Sequence, residues 1–208
     1  MSNKRTFKDL VTCNRPILSD GAMGTLLHLH GAQMKGTFEA LNIENPALVA
    51  QVHADYINAG SQIIQTNTFG ANRFKLAQHG LADKVMEINK AGVELARKVI
   101  SDSGKDVLVA GDVGPLGVRL APYGRVQPEQ AREAFAEQIR ALTDAGVDLL
   151  ILETFADLYE IVEAIKAAKE VAPEVPVIAS MTFTRDNRTL LGDSPAKVAH
   201  RIQQAGAD

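Results

Sequence analysis

Carboxylates, hydroxyls and an amide stand where short apolar runs give way to polar turns, at five separated places in the chain. Pro16–Ser19 runs into Asp20, and Gln62–Thr66 ends in a hydroxyl followed by Asn67 and Thr68. Val107–Ala110 leads to Gly111 and Asp112, Leu149–Leu152 to Glu153 and Thr154, and Val177–Met181 to Thr182. Taken singly, each polar residue reads equally well as the cap of a following helix. Five together favour a shared site, because the carboxyl ends of parallel strands converge on one rim.

The most informative stretch is Asp20-Gly21-Ala22-Met23-Gly24-Thr25, in which two glycines separate a strand end from a helical run, Leu26–His30. Glycines let successive backbone N–H groups turn inward and form an anion pocket at a helix start. A carboxylate suits that pocket. Asp20 beside it, with Glu153 across the rim, suits an ammonium. A site that takes both charges fits an α-amino acid; the plainer alternative is a tight βα turn with a capping aspartate.

Other chemistries fail on spacing. The run Gly111-Asp112-Val113-Gly114-Pro115-Leu116-Gly117 is glycine-rich but lacks the dinucleotide spacing and carries a proline, and there is no Walker A sequence or nucleophile elbow. His28 and His30 would project from different faces of a helix and are read as exposed. His53, His79 and His200 have no companion ligands at metal spacing, so packing or surface roles are expected. Cys13 precedes the first strand on the side away from the rim and reads as an incidental thiol, not a nucleophile. The charged stretch Glu129–Arg140 reads as a solvated helix face.

Positioning these groups falls to an alternation of short apolar runs with longer helical stretches, the pattern of βα units around a parallel sheet. The five runs named above are nearly continuous in apolar character, as strands covered on both faces should be. Helices are expected over Pro46–Ala59, Lys84–Ile100, Pro128–Ala145 and Leu158–Val171. Ala-Gly recurs at 59–60, 145–146 and 205–206, and each glycine is expected to close a helix in a left-handed conformation before a strand. The expected fold is a (β/α)8 TIM barrel truncated after about five βα units, since a full barrel needs about 250 residues. Residues 1–14 read as an N-terminal extension and 15–208 as the barrel domain, incomplete at its C-terminal side.

Composition narrows the partners. With 46% hydrophobic residues in 208, the chain can bury a sizeable core. Its 22 basic and 25 acidic residues are scattered, which argues against nucleic acid and an anionic membrane surface and favours small soluble ligands. No secretory signal or membrane-length apolar run is read, and one cysteine excludes an intramolecular disulfide, so a cytoplasmic setting is expected.

Four motifs, in order and in register, carry a resemblance to one family: Ser19 to Thr25, Gln65 to Asn72, Gly111 to Gly117, and Leu152-Glu153-Thr154-Phe155. They resemble the homocysteine-binding domain of homocysteine S-methyltransferases, which occurs in cobalamin-dependent methionine synthase and in fusions with methylenetetrahydrofolate reductase. The stretches Arg119 to Gly124 and Thr182 to Asp186 lean towards the fused kind. The resemblance implies that Asp20 and Glu153 hold the homocysteine ammonium. It implies also that backbone amides of Gly21, Ala22, Met23 and Gly24 hold the carboxylate, and that Thr66, Asn67 and Thr68 line the pocket. The implied reaction is methyl transfer to the homocysteine sulfur, giving methionine, with a methylated folate, methylcobalamin or an S-methyl compound as donor. A fused folate-binding or reductase domain is the implied partner.

The family activates the thiol with zinc held by three cysteine thiolates. Cys13 matches none of them, so the zinc ligands are expected beyond Asp208, and the 208-residue chain is expected to be inactive alone and poorly stable. Two alternatives stand beside this reading: another barrel enzyme of the lyase or aldolase kind, for which no strand end supplies a Schiff-base lysine, and a zinc-independent amino-acid-binding module.

Overall fold

A computed structural model describes residues 5–32 and 36–208, so the first four residues of the expected extension lie outside it. The elements run α1 (Phe7–Thr12), α2 (Met23–Leu29), α3 (Leu41–Glu44), α4 (Pro46–Ala59), β1 (Ile63–Gln65), α5 (Arg73–Ala77), α6 (Val85–Ser103) and β2 (Leu108–Val113). They continue with α7 (Pro128–Asp144), β3 (Leu149–Phe155), α8 (Leu158–Val171), β4 (Val177–Met181) and α9 (Pro195–Ala205), with short 3-10 turns at Phe38–Ala40 and Ala82–Lys84. The strands form one parallel sheet in the order β1-β2-β3-β4, each joined to the next through helices. This is the wall of a TIM-type barrel.

The run expected as the first strand, Pro16–Ser19, is a single parallel bridge between Ser19 and Ile63, flanked by backbone bonds from Gln62 to Leu18 and from Asp20 to Ile63. Pro16 has no N–H to add to a ladder, and Leu18 points into solvent, so the pairing shrinks to its last residue. The other strands fall where expected, with β2 reaching past Ala110 to Val113 and β3 past Leu152 to Phe155. The expected glycine caps also form: Gly60 and Gly206 close α4 and α9 in the left-handed region, and Gly146 has a φ of 92°.

Strand parity sorts the core into two layers. Ile64 and Val109 face outward and pack with Val107 on Ile57, Ala96 and Val99 of the helices, while Leu150 and Leu152 meet Phe135, Ile139, Ile161 and Ile165. Ile63, Leu108, Ala110 and Leu149 face inward, where α1 closes over them through Leu10. The stretch read as an extension thus covers one end of the barrel interior. Continuing that inward parity toward the strand ends places Gln65, Asp112 and Glu153 on the inner face, at the end away from α1.

Candidate functional site

The inward-facing residues at the carboxyl ends of the strands line one cleft of about 480 Å³. Its walls include Asp20, Gly21, Ala22, Met23 and Gly24 from the first turn, Gln65, Thr66 and Asn67 from the end of β1, and Glu153 and Thr154 from β3. Asp20 and Glu153, far apart in sequence, therefore share a cavity. Phe38, Glu39, Phe69 and Asp112 complete it.

Asp20 is set by strand β1. Its Oδ2 accepts the backbone N–H of Gln65 at 2.7 Å and its Oδ1 the Gln65 side-chain amide at 3.3 Å, with Ser19 Oγ donating at 3.2 Å. Burial dominates these bonds and raises its pKa to about 6. Glu153 is likewise raised by burial. Burial in the cleft disfavours both charges, and a cation bound beside them would restore them.

Glu153 reaches the cleft because β3 does not end at Leu152. The pairing with β4 skips from Leu152 to Phe155, a bulge in which Thr154 takes a φ of 62°. A positive φ is costly for a β-branched residue and marks a place where packing overrides local preference. Glu153 keeps the inner face that parity gives it, and the bulge after it returns Phe155 to the outer layer, buried with its ring centroid 5.9 Å from that of Phe135.

The glycines of the 21–24 turn are needed for space, not for a left-handed backbone, since neither Gly21 nor Gly24 has a positive φ. A Cβ on Gly21 would stand 3.2 Å from the Tyr56 hydroxyl, and one on Gly24 would stand 3.1 Å from the Phe38 ring. Tyr56 fixes the turn by donating to the Ala22 carbonyl at 3.0 Å. The N–H groups of Met23 and Gly24 open α2, where a first helical turn has no intrahelical acceptor.

Thr66, Asn67 and Thr68 are buried and hold the frame. Asn67 donates to the Phe38 carbonyl at 2.7 Å and to Asn42 Oδ1 at 3.1 Å, tying the cleft floor to the 38–42 segment. Thr68 donates to the Asp112 carbonyl at 2.7 Å and Thr66 Oγ1 accepts the Asp112 N–H at 3.0 Å. With the Thr68 proton so used, Thr66 is the donor in the 2.6 Å bond between the two hydroxyls. Thr68 stands behind the lining residues, and Thr182 is spent on the Phe155 carbonyl.

Six lining groups were absent from the residues assigned to ligand binding by sequence: Phe38, Glu39, Gln65, Phe69, Asp112 and Thr154. Phe38 and Glu39 sit in a 3-10 turn outside any strand, where periodicity gives no signal. Glu39 is buried and accepts the Gly70 N–H at 2.6 Å. Phe69 follows the Thr68 position and carries Lys75 Nζ 4.3 Å above its ring. Asp112 was visible as a strand-end acid, and counting inward from Ala110 would have placed it in the cleft.

The chain matches the family model for homocysteine S-methyltransferase over residues 17–208. It belongs to that family. It is 28% identical to methionine synthase of Mycobacterium tuberculosis over 95% of this chain and 18% of that protein, and 28% identical to the Mycobacterium leprae enzyme over 93% and 17%. The chain thus spans under a fifth of those relatives. Among solved structures, the oxidized form of the homocysteine methyltransferase MmuM from Escherichia coli superposes with a TM-score of 0.80 at 28% identity, covering 94% of this chain and 73% of that one. Its metallated form gives 0.79 at 29% identity, covering 95% and 74%.

Family membership raises the question of metal. Among the described residues no group of three His, Cys, Asp or Glu side chains could hold an ion. Cys13 is exposed, with its thiol donating to the Leu10 carbonyl at 2.8 Å. His28, His30, His79 and His200 are exposed and dispersed, and His53 is buried alone in α4. The described residues do not fit a thiolate zinc centre. No helix among them is long and apolar enough to cross a membrane.

Proposed function

We propose that the cleft binds homocysteine by its α-amino and α-carboxylate groups and holds it for methyl transfer to sulfur, giving methionine. Asp20 and Glu153 receive the ammonium, and backbone N–H groups of the Gly21–Gly24 turn receive the carboxylate. Thr66, Asn67 and Thr68 keep the floor rigid. The observation that carries the reading is the shared cleft: two acids from distant turns face one cavity, with the turn of small residues beside one of them. Kinship with the homocysteine methyltransferase MmuM supports the choice of amino acid.

The polar groups supply binding and orientation. A thiol with a pKa near ~8.5 is mostly protonated at neutral pH, so transfer to sulfur also requires thiolate formation. Among the described residues no cysteine or histidine lines the cleft to hold a thiolate-activating cation.

Calorimetric titration tests the recognition directly. Homocysteine should bind at least about tenfold more tightly than 4-mercaptobutanoate, which lacks the amino group, and than 3-mercaptopropylamine, which lacks the carboxylate. Equal affinities for all three, or no binding of homocysteine, would reject the reading.

A further inference from the structure

We infer that Asp112 is a third carboxyl group of the amino-acid site, supplying an oxygen to the ammonium N–H that Asp20 and Glu153 leave over; this rests on the amino-acid reading above. Asp112 lines the same cleft, is only 6% exposed, and its Oδ1 has no hydrogen-bond partner among the described residues. A buried carboxyl oxygen without a partner costs free energy that a well-packed interior does not ordinarily leave uncompensated. A ligand atom in the cleft would supply the partner.

The side chain is held for this purpose from behind. Thr66 Oγ1 takes the Asp112 N–H and Thr68 Oγ1 gives to its carbonyl, so the backbone at this position is clamped on both sides. Next in the chain but one, Gly114 passes so close to Phe69 that its N–H meets the Phe69 carbonyl at 2.9 Å, and the strand end cannot swing away. Parity then aims the Asp112 side chain inward, as it does Gln65 and Glu153.

The number of donors matches. An α-ammonium has three N–H bonds; of the four carboxyls that line the cleft, Glu39 already accepts the Gly70 N–H, which leaves Asp20, Glu153 and Asp112, with Glu153 and Asp20 the first two charges acting on Asp112. Glu39 adds to their field, and Lys75 opposes it from behind Phe69. None of the residues lining the cleft is basic. Three full negative charges would exceed what one ammonium neutralises. Burial and the neighbouring carboxylates hold the Asp112 proton well above the usual carboxylate range, so it enters as a neutral acid whose carbonyl oxygen still accepts. An amide has the same shape and the same acceptor.

The test is calorimetry on the protein and on D112N and D112A, with homocysteine and with 4-mercaptobutanoate. D112N should bind homocysteine within about threefold of the parent, and D112A about tenfold more weakly. Neither substitution should change the affinity for 4-mercaptobutanoate, which has no ammonium to lose. The assignment is overturned if D112A binds homocysteine as the parent does, if D112N loses as much as D112A, or if D112A weakens both ligands equally, as a collapsed cleft would. A parent that binds no homocysteine overturns the amino-acid reading and this assignment with it.

Discussion

Gln65 gives Asp20 both its backbone N–H, at 2.7 Å, and its side-chain amide, at 3.3 Å, so the first acid of the cleft is fixed by the neighbouring strand before any ligand arrives. These bonds favour the carboxylate, yet burial outweighs them and the pKa stands near 6. A group raised above its unfolded value adds stability that is complete below about pH 4 and is lost as pH rises through about 6. Binding of an ammonium has the opposite dependence, because it needs the ionised acid.

For D20N we therefore expect divergent effects. Near pH 7.5 the variant should be more stable by about 1–2 kcal/mol, since the uncompensated buried charge is gone. Its affinity for homocysteine should fall about tenfold to a hundredfold. In the parent the same affinity should weaken as pH drops below about 6. Chemical denaturation and calorimetry across pH 5–8 check both arms; a D20N protein that keeps parent affinity would remove Asp20 from the site.

How much of this was legible in the sequence follows from what each residue's role depends on. Asp20 and Glu153 were found because they end apolar runs, a local signal that parallel strands make meaningful. The glycines at 21 and 24 were found for a different reason from the one that the structure gives: their neighbours Tyr56 and Phe38 come from segments whose approach no local pattern encodes. Glu39 was invisible because it sits in a turn without periodicity. Pro16–Ser19 looked like a strand by composition, but pairing is a tertiary property and only Ser19 obtains it.

His53 offers a prediction remote from the cleft. It is fully buried in α4, neither ring nitrogen has a partner among the described residues, and burial lowers its pKa to about 4. The unfolded chain binds a proton at this residue between about pH 6.5 and 4 that the folded one refuses, so stability falls as pH drops through that window. His53→Leu should raise stability by about 1–2 kcal/mol at pH 7 and flatten the acid limb. Urea unfolding of both proteins at pH 7 and pH 4.5 measures it, and an unchanged acid limb would contradict the assignment.

Gly114 should tolerate no side chain. A Cβ there would lie 2.5 Å from the Phe69 ring and 2.7 Å from the Phe69 carbonyl oxygen, and the backbone partner cannot rotate away. Gly114→Ala should cost about 2–3 kcal/mol by overpacking and weaken homocysteine binding by displacing Phe69 from the cleft wall. Thermal unfolding and calorimetry on the same sample report the two effects; parent-like values for both would show that the Phe69 contact is not tight.

The central claim is that Asp20 and Glu153 grip one ammonium between them. A crystal structure of the homocysteine complex tests it most directly. The account predicts the ligand nitrogen at about 3 Å from a carboxylate oxygen of each acid, with the carboxylate against the N–H groups of residues 21–24. A nitrogen held by other groups, with Asp20 and Glu153 left apart from it, would contradict the account.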